Sequence, residues 1–237
     1  MERIALITGS SSGIGKAITQ KFLCDGYTVI GLARDHSKFS PDCNQYHPLS
    51  VDLSNVIALE KTIPRIIKKY QNINVFISNA GFGDFRNLEN FSALQIRTYF
   101  SVNLIAQILI SRYMVSHMKK NSFGDVIIIG SEAAIVGKKK ATLYSAAKFG
   151  LRGFAQSLRD EVGASGLRVC IINPGLVRSP FFDGLNFEPA RGEDNAIMPD
   201  DIAKLVLETV NTRNGTVVDE INLSPATNNI SFKASDR

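Results

Sequence analysis

Thr8-Gly9-Ser10-Ser11-Ser12-Gly13-Ile14-Gly15 stands between a short apolar run, Ile4 to Ile7, and a stretch with helical spacing from Ile14 to about Asp25. Its glycines allow a chain to leave a strand, turn sharply and enter a helix. The same turn brings backbone close to a pyrophosphate, and the helix N-terminus behind it offers free N–H groups and the positive end of a dipole. Glycine and serine also build plain turns, but placement after a first strand and at the mouth of a helix favours a binding loop. The G-x-x-x-G-x-G spacing differs from the common G-x-G-x-x-G. The loop also lacks the lysine–serine end of a P-loop, which argues against an NTPase.

The pattern of strand then helix continues along the chain. Gly26 suits the end of the first helix. Tyr27 to Leu32 reads as a second strand, and Leu49-Ser50-Val51-Asp52 closes a third. Val56 to Tyr70 has helical spacing, with Pro64 a mark against an unbroken helix. Asn74 to Ser78 is a fourth strand, 92–119 a long helix and Val126 to Ile129 a fifth strand. A helix over 142–163, a sixth strand over Leu167 to Ile172, a helix over Pro199 to Asn211 and a last strand within Val217 to Leu223 complete the reading. Runs such as Val126-Ile127-Ile128-Ile129 are apolar at every position, the mark of strands covered on both faces and so of a parallel sheet between helix layers. The expectation is a single doubly wound α/β domain over residues 1–237, with a parallel sheet of about seven strands. Residues 178–198, rich in Gly, Pro and Phe, are the loosest segment, and the polar tail after Ser224 is expected to be loose or packed late.

Composition sets bounds. A chain of 237 residues, 44% hydrophobic and 21% charged, can bury a large core as one domain. No run reads as long and apolar enough to span a bilayer, and the first residues lack the charged and apolar regions of a signal peptide. Cys24, Cys43 and Cys170 are scattered, with no metal-ligand spacing, so free thiols in a reducing cytoplasm and no metal site are expected. The net charge of +5 is read as a scattered surface excess rather than a nucleic-acid footprint. Its one dense run, Lys138-Lys139-Lys140, is read as a solvated loop.

Tyr144-Ser-Ala-Ala-Lys148 places a tyrosine and a lysine four residues apart on one helix face, with Ser131 thirteen residues upstream of the tyrosine. A lysine cation beside a phenol favours the phenolate and lowers its pKa. Such a pair suits moving a proton on or off an alcohol oxygen that a serine holds by a hydrogen bond. An exposed i,i+4 pair is the plain alternative, so the weight of the motif depends on the rest of the chain.

The end of the second strand selects the nucleotide. An acid there would accept from a ribose 2′-OH. Aligned from Gly13, this chain has Ala33 at that place and Arg34 next, which can clamp a 2′-phosphate. Ser11 can add a hydrogen bond. NADP(H) is therefore the expected cofactor, while a register shift of two residues would bring Asp35 to the site instead.

Taken together, these residues resemble the short-chain dehydrogenase/reductase family along nearly the whole chain, which implies a Rossmann-type domain. The glycine loop matches at Gly9, Gly13 and Gly15, with Ser12 and Ile14 between them. The resemblance implies that Asp52 and Leu53 meet the adenine, that Asn79 braces the sheet, and that Ala80 and Gly81 line the cofactor. It implies that Asn103 anchors a water on the proton path, and that Ser131, Tyr144 and Lys148 are the catalytic serine, tyrosine and lysine. Pro174, Gly175 and Val177 would face the nicotinamide, with Ser179 in place of a frequent threonine. Gly130 stands where many members carry a second serine. The implied reaction is hydride transfer between NADP(H) and a carbonyl or secondary alcohol. A rival reading, an NADP-binding sensor or scaffold without turnover, is disfavoured by the presence of both Tyr144 and Lys148. Residues 178–198 would be the substrate lid, with Phe181, Phe182 and Phe187 either covering a substrate or packing the loop. A homodimer or homotetramer would form through helices 92–119 and 142–163, with a small-molecule substrate, no nucleic acid and no membrane as partners.

Overall fold

The computed structural model describes residues 3–233. In chain order the elements are β1 (Ile4–Thr8), α1 (Gly13–Cys24), β2 (Thr28–Ala33), β3 (Tyr46–Ser50), α2 (Val56–Lys69), β4 (Ile73–Ser78), α3 (Ala93–Phe100), α4 (Ala106–Asn121), β5 (Gly124–Ile129), α5 (Thr142–Val162), β6 (Leu167–Pro174), β7 (Phe187–Pro189), α6 (Pro199–Asn211), β8 (Glu220–Leu223) and β9 (Ile230–Phe232). Seven strands form one sheet in the order β3-β2-β1-β4-β5-β6-β8. Every neighbouring pair in it is parallel. β7 and β9 form a separate antiparallel ribbon.

The period of two in β1 divides the core. Ile4 and Leu6 join Leu59, Ile63, Ile110, Met114 and Leu151 under α2, α4 and α5. Ala5 and Ile7 join Ile18, Phe22, Ile202 and Val206 under α1 and α6. Both faces are thus covered, which is why the strands read as continuous apolar runs. The strand order reverses between β1 and β4, and the loops at their C-terminal ends diverge there to open a crevice.

Several sequence expectations need correction. β3 ends at Ser50, so Val51 and Asp52 already lie in the loop. Pro64 does not break α2. It sits on the exposed side, where the Glu60 carbonyl that loses its partner can meet water. The long helix begins with a reciprocal capping box between Ser92 and Gln95. It is not uniform: Ser101–Ile105 is a π segment between α3 and α4. β8 starts at Glu220, three residues after Val217. The described part of the tail, residues 225–233, is packed rather than loose, because β9 pairs with β7. By length and composition alone, Ala93–Asn121 does reach the range of a membrane span, against expectation. In the fold it covers one face of the sheet, and it buries Asn103, Gln107 and Ser111.

Candidate active site

The loop after β1 is shaped by backbone. Gly9 and Gly13 have φ of +69° and +51°, where a side chain would be strained. Ser12 is the N-cap of α1 but makes no side-chain cap bond, and the first turn carries no acid, so the helix presents bare N–H groups to the cleft. Gly15 faces the other way. A Cβ there would lie 2.1 Å from the Gly9 carbonyl oxygen and 2.5 Å from Asn79 Nδ2. Unlike Gly9, Ser11, Ser12, Gly13 and Ile14, it does not line the cleft. Its place is behind the loop, where it lets helix and turn pack closely.

The loop is braced from two sides. Asn79, just past β4, donates from Nδ2 to the Thr8 carbonyl at 2.9 Å, and Thr8 Oγ1 accepts from the backbone N–H groups of Asn79 and Ala80. On the other side, His36 Nε2 lies 3.2 Å from the Leu49 carbonyl, so it must donate. Its Nδ1 then accepts from Tyr46 Oη at 3.1 Å, and Tyr46 Oη accepts from the buried Ser10 hydroxyl at 3.2 Å. Sequence reasoning missed this chain. Its one signal was Gly31 inside β2: a Cβ there would meet Ser10 Oγ and Tyr46 Oη at 2.5 and 2.6 Å.

Arg34 and Asp35 follow the last residue of β2. Both are exposed and line the cleft. Asp35 is engaged: its two oxygens accept from Ser37 N and Ser37 Oγ, each at 2.8 Å, and these bonds hold its carboxyl below the usual range. Asp52 is tied likewise by Ser54 N and Oγ at 2.9 Å, and its carboxyl is lowered first by those bonds and last by Arg34. Leu53 beside it is buried and lines the cleft.

The π segment brings Asn103 inward. Its Oδ1 accepts from Phe82 N at 3.0 Å, and its Nδ2 donates to the Tyr99 carbonyl at 3.1 Å. Gly81 leaves the space, since a Cβ there would stand 2.7 Å from Asn103 Oδ1. Gln107, also missed from sequence, is buried one turn on. It accepts from Ser78 Oγ and donates to the Ala80 carbonyl at 2.5 Å and to the Val102 carbonyl at 3.3 Å. It therefore satisfies a carbonyl of the π segment and holds the Ala80–Gly81 wall in place.

Ser131, Tyr144 and Lys148 line the same cleft and lie together in it: the Ser131 hydroxyl reaches the Tyr144 phenol, and Lys148 Nζ is 5.8 Å from the centre of the Tyr144 ring. Ser131 follows β5 and caps a short turn, its Oγ accepting from Ala133 N at 3.2 Å. Tyr144 and Lys148 come from the first turns of α5. Burial pushes the Tyr144 phenol up to about 12; the Ser131 hydroxyl draws it down and Glu132 pushes it up. Lys148 is only 6% exposed, and burial pushes its ammonium down to about 8. The expected lowering of the tyrosine by the lysine is not realised in this arrangement. Lys148 Nζ is turned to the Ile129 carbonyl at 2.8 Å, and desolvation dominates both groups.

β6 ends in Pro174, and Gly175, Val177 and Ser179 continue along the cleft wall. Ser179 lies against Gly13. Gly130 is more than a missing serine: a Cβ there would lie 2.0 Å from Asn173 Oδ1, a buried oxygen without a hydrogen-bond partner among the described residues. Residues 178–198 are fastened at their base, where Ile197 N donates to the Leu176 carbonyl at 2.8 Å and Arg178 N to the Ile197 carbonyl at 2.9 Å. Phe181 of this segment and Phe85 of the loop after β4 close on the tyrosine. The rings of Phe85 and Phe181 lie 5.3 and 5.9 Å from that of Tyr144. Phe182 is buried and packs the loop. Lys138, Lys139 and Lys140 are exposed, as read, and stand at the cleft rim. The cleft has a volume of about 1740 Å³.

A parallel doubly wound sheet, a glycine turn into a helix and a Ser–Tyr–Lys cluster with buried serine and lysine and half-buried tyrosine define a dinucleotide-type oxidoreductase fold. Residues 3–189 match the family described as short chain dehydrogenase, and the chain belongs to that family. It is 34% identical over 186 residues to a 3-oxoacyl-[acyl-carrier-protein] reductase FabG of Buchnera aphidicola, covering 77% of this chain and 76% of that one. It is 28% identical to a sepiapterin reductase of Chlorobaculum tepidum, covering 97% and 99%. A metagenomic short-chain oxidoreductase solved in complex with NADP superposes with a TM-score of 0.80 at 26% identity, over 94% of this chain and 96% of that one. The protein is thus an oxidoreductase of the short-chain type.

Proposed function

We propose that the protein transfers a hydride between NADP(H) and a carbonyl or secondary alcohol, with Tyr144 as general acid and base. The carrying observation is the meeting of Ser131, Tyr144 and Lys148 in the cleft that also holds the glycine turn. A phenol held at about 12 is protonated at neutral pH, so it is in the form that donates. In the reducing direction Tyr144 gives its proton to the carbonyl oxygen, Ser131 holds that oxygen, and Lys148 supplies positive charge at the floor. Asn103, whose Oδ1 accepts from Phe82 N, would anchor a water on the proton path, as the family resemblance implies.

The cleft fits a dinucleotide: positive-φ glycines leave no side chain over the N-terminus of α1. Gly9, Ser11, Ser12, Gly13 and Ile14 would hold the pyrophosphate, with Gly15 supporting from behind. Asp52, Leu53, Asn79, Ala80 and Gly81 would line the adenosine side, and Pro174, Gly175, Val177 and Ser179 the nicotinamide side. The exposed Arg34, beside an Asp35 already tied to Ser37, favours a 2′-phosphate. When bound, the cofactor supplies the hydride. Relatives named as reductases, and a relative solved with NADP, agree with this reading. A homo-oligomer through α3, α4 and α5 is supported by the exposed Leu94 of α3, Ile105 of the π segment that leads into α4, and Phe149 of α5.

The test is Tyr144→Phe. NADPH oxidation with a carbonyl substrate should fall at least ~10³-fold, while NADPH affinity changes little by titration. Wild-type turnover in that variant would refute the assignment.

A further inference from the structure

The β7–β9 ribbon presents one apolar face. Phe187 lies directly across from Phe232, and Pro189 across from Ile230, while Glu188 and Ser231 pair on the opposite face. Phe187, Ile230 and Phe232 all line the cleft. Yet Phe232 is 72% exposed and Ile230 47%. Two large apolar side chains on the wall of a cleft, without cover, call for an apolar occupant.

That face is continuous with the reacting end. The Phe85 ring lies 5.3 Å from Tyr144 on one side and 5.3 Å from Phe187 on the other. From Phe187 the apolar track steps across the ribbon to Phe232. The ribbon is held in place by a set of bonds. Lys233 N donates to the Asn186 carbonyl at 2.9 Å, and its Nζ to the Phe182 carbonyl at 2.5 Å. Ala190 N donates to the Asn229 carbonyl at 3.0 Å, and Thr227 N to the Asp194 carbonyl at 2.8 Å. Leu94, Ile105 and Phe149, the exposed apolar residues on which the proposed homo-oligomer rests, belong to other elements.

We infer that β9 is the outer wall of the substrate site, and that the site takes a carbonyl compound with an extended apolar arm lying along Phe187, Ile230 and Phe232. This rests on the reading of Tyr144 as the reacting end. The experiment compares decan-2-one with butan-2-one on the NADP⁺ complex by equilibrium dialysis, in wild type, Phe232→Ser and Phe232→Leu. Wild type should bind the longer ketone at least about tenfold more tightly, a fraction of what burying six methylenes can give. Phe232→Ser should lose most of that ratio, and Phe232→Leu should keep it. No chain-length preference in wild type, or a preference untouched in Phe232→Ser, overturns the inference. A change of mass by light scattering in Phe232→Ser with the preference intact would assign the face to subunit contact and also overturn it. Because binding is read without turnover, failure of the Tyr144 reading would show separately, as decan-2-one binding with no loss of NADPH oxidation in Tyr144→Phe.

Discussion

The two walls of the cleft are built on different principles. The nucleotide-side wall, from Gly9 to Gly15 and on to Arg34, is set by backbone: positive φ at Gly9 and Gly13, and a carbonyl oxygen 2.1 Å from where a Gly15 side chain would begin. The wall proposed for the substrate side, residues 178–198 with β9, is set by rotatable rings and by two short strands about forty residues apart in the chain. A wall made of backbone tolerates almost no change, while a wall made of side chains can adjust. That difference matches a fixed cofactor on one side and a variable substrate on the other.

Gly15→Ala should break the rigid wall. The obstacle is the Gly9 carbonyl, which cannot rotate away, so a loss of about 3 kcal/mol or more by denaturant unfolding is expected, together with loss of NADPH binding. Wild-type stability in that variant would show that the loop yields.

Next in size is the buried lysine between the walls. Lys148 titrates near 8 in the fold and near 10.5 unfolded. Below pH 8 it is charged in both states, and the folded state bears the full cost of burying the charge. Between 8 and 10.5 the folded state gives up the proton first, so the cost disappears as pH rises. Lys148→Met should therefore be more stable than wild type by ~2–3 kcal/mol at pH 7, and the gap should close toward pH 10.5 in urea titrations. Above pH 10 the Tyr144 phenol, raised to about 12, acts in the opposite sense in both proteins.

Arg34→Ala tests the selective edge of the nucleotide-side wall. The KM for NADPH should rise ~10–100-fold, the worth of one charge-assisted contact, with little change for NADH. Equal effects on both would leave Arg34 without a 2′-phosphate role. The smallest effect is expected at Gly83, which packs against the adjustable wall at Phe181. A Cβ there meets the ring edges of Phe181 and Phe85 at 2.5 Å, and both rings can turn aside. Gly83→Ala should cost at most ~1 kcal/mol of stability and show itself in substrate KM. A loss as large as that of Gly15→Ala would erase the distinction between the walls.

Most of the nucleotide-side wall could be read directly. Glycine spacing, a strand apolar at every position and a helix start are local signals, and they led to Gly9, Gly13 and Arg34 without any tertiary knowledge. Ser131, Tyr144 and Lys148 were found from spacing as well. Their electrostatics were not: an i,i+4 pair suggests a lysine acting on a phenol, but burial dominates both groups in the fold, and the lysine ammonium is turned to the Ile129 carbonyl. Tyr46, His36 and Gln107 escaped notice because each serves the site through partners ten to thirty-six residues away. β9 escaped because three residues carry too little period to signal a strand.

By itself the sequence determined the sheet, its helix layers and the order in which loops reach the cleft. These follow from local periodicity and from glycines whose backbone geometry no other residue adopts cheaply. Only the tertiary structure decided which groups are desolvated, which carboxylates are already engaged, and what covers the tyrosine. Those are properties of burial and long-range pairing, and a segment such as Ile230-Ser231-Phe232 becomes a wall only once Phe187-Glu188-Pro189 lies beside it.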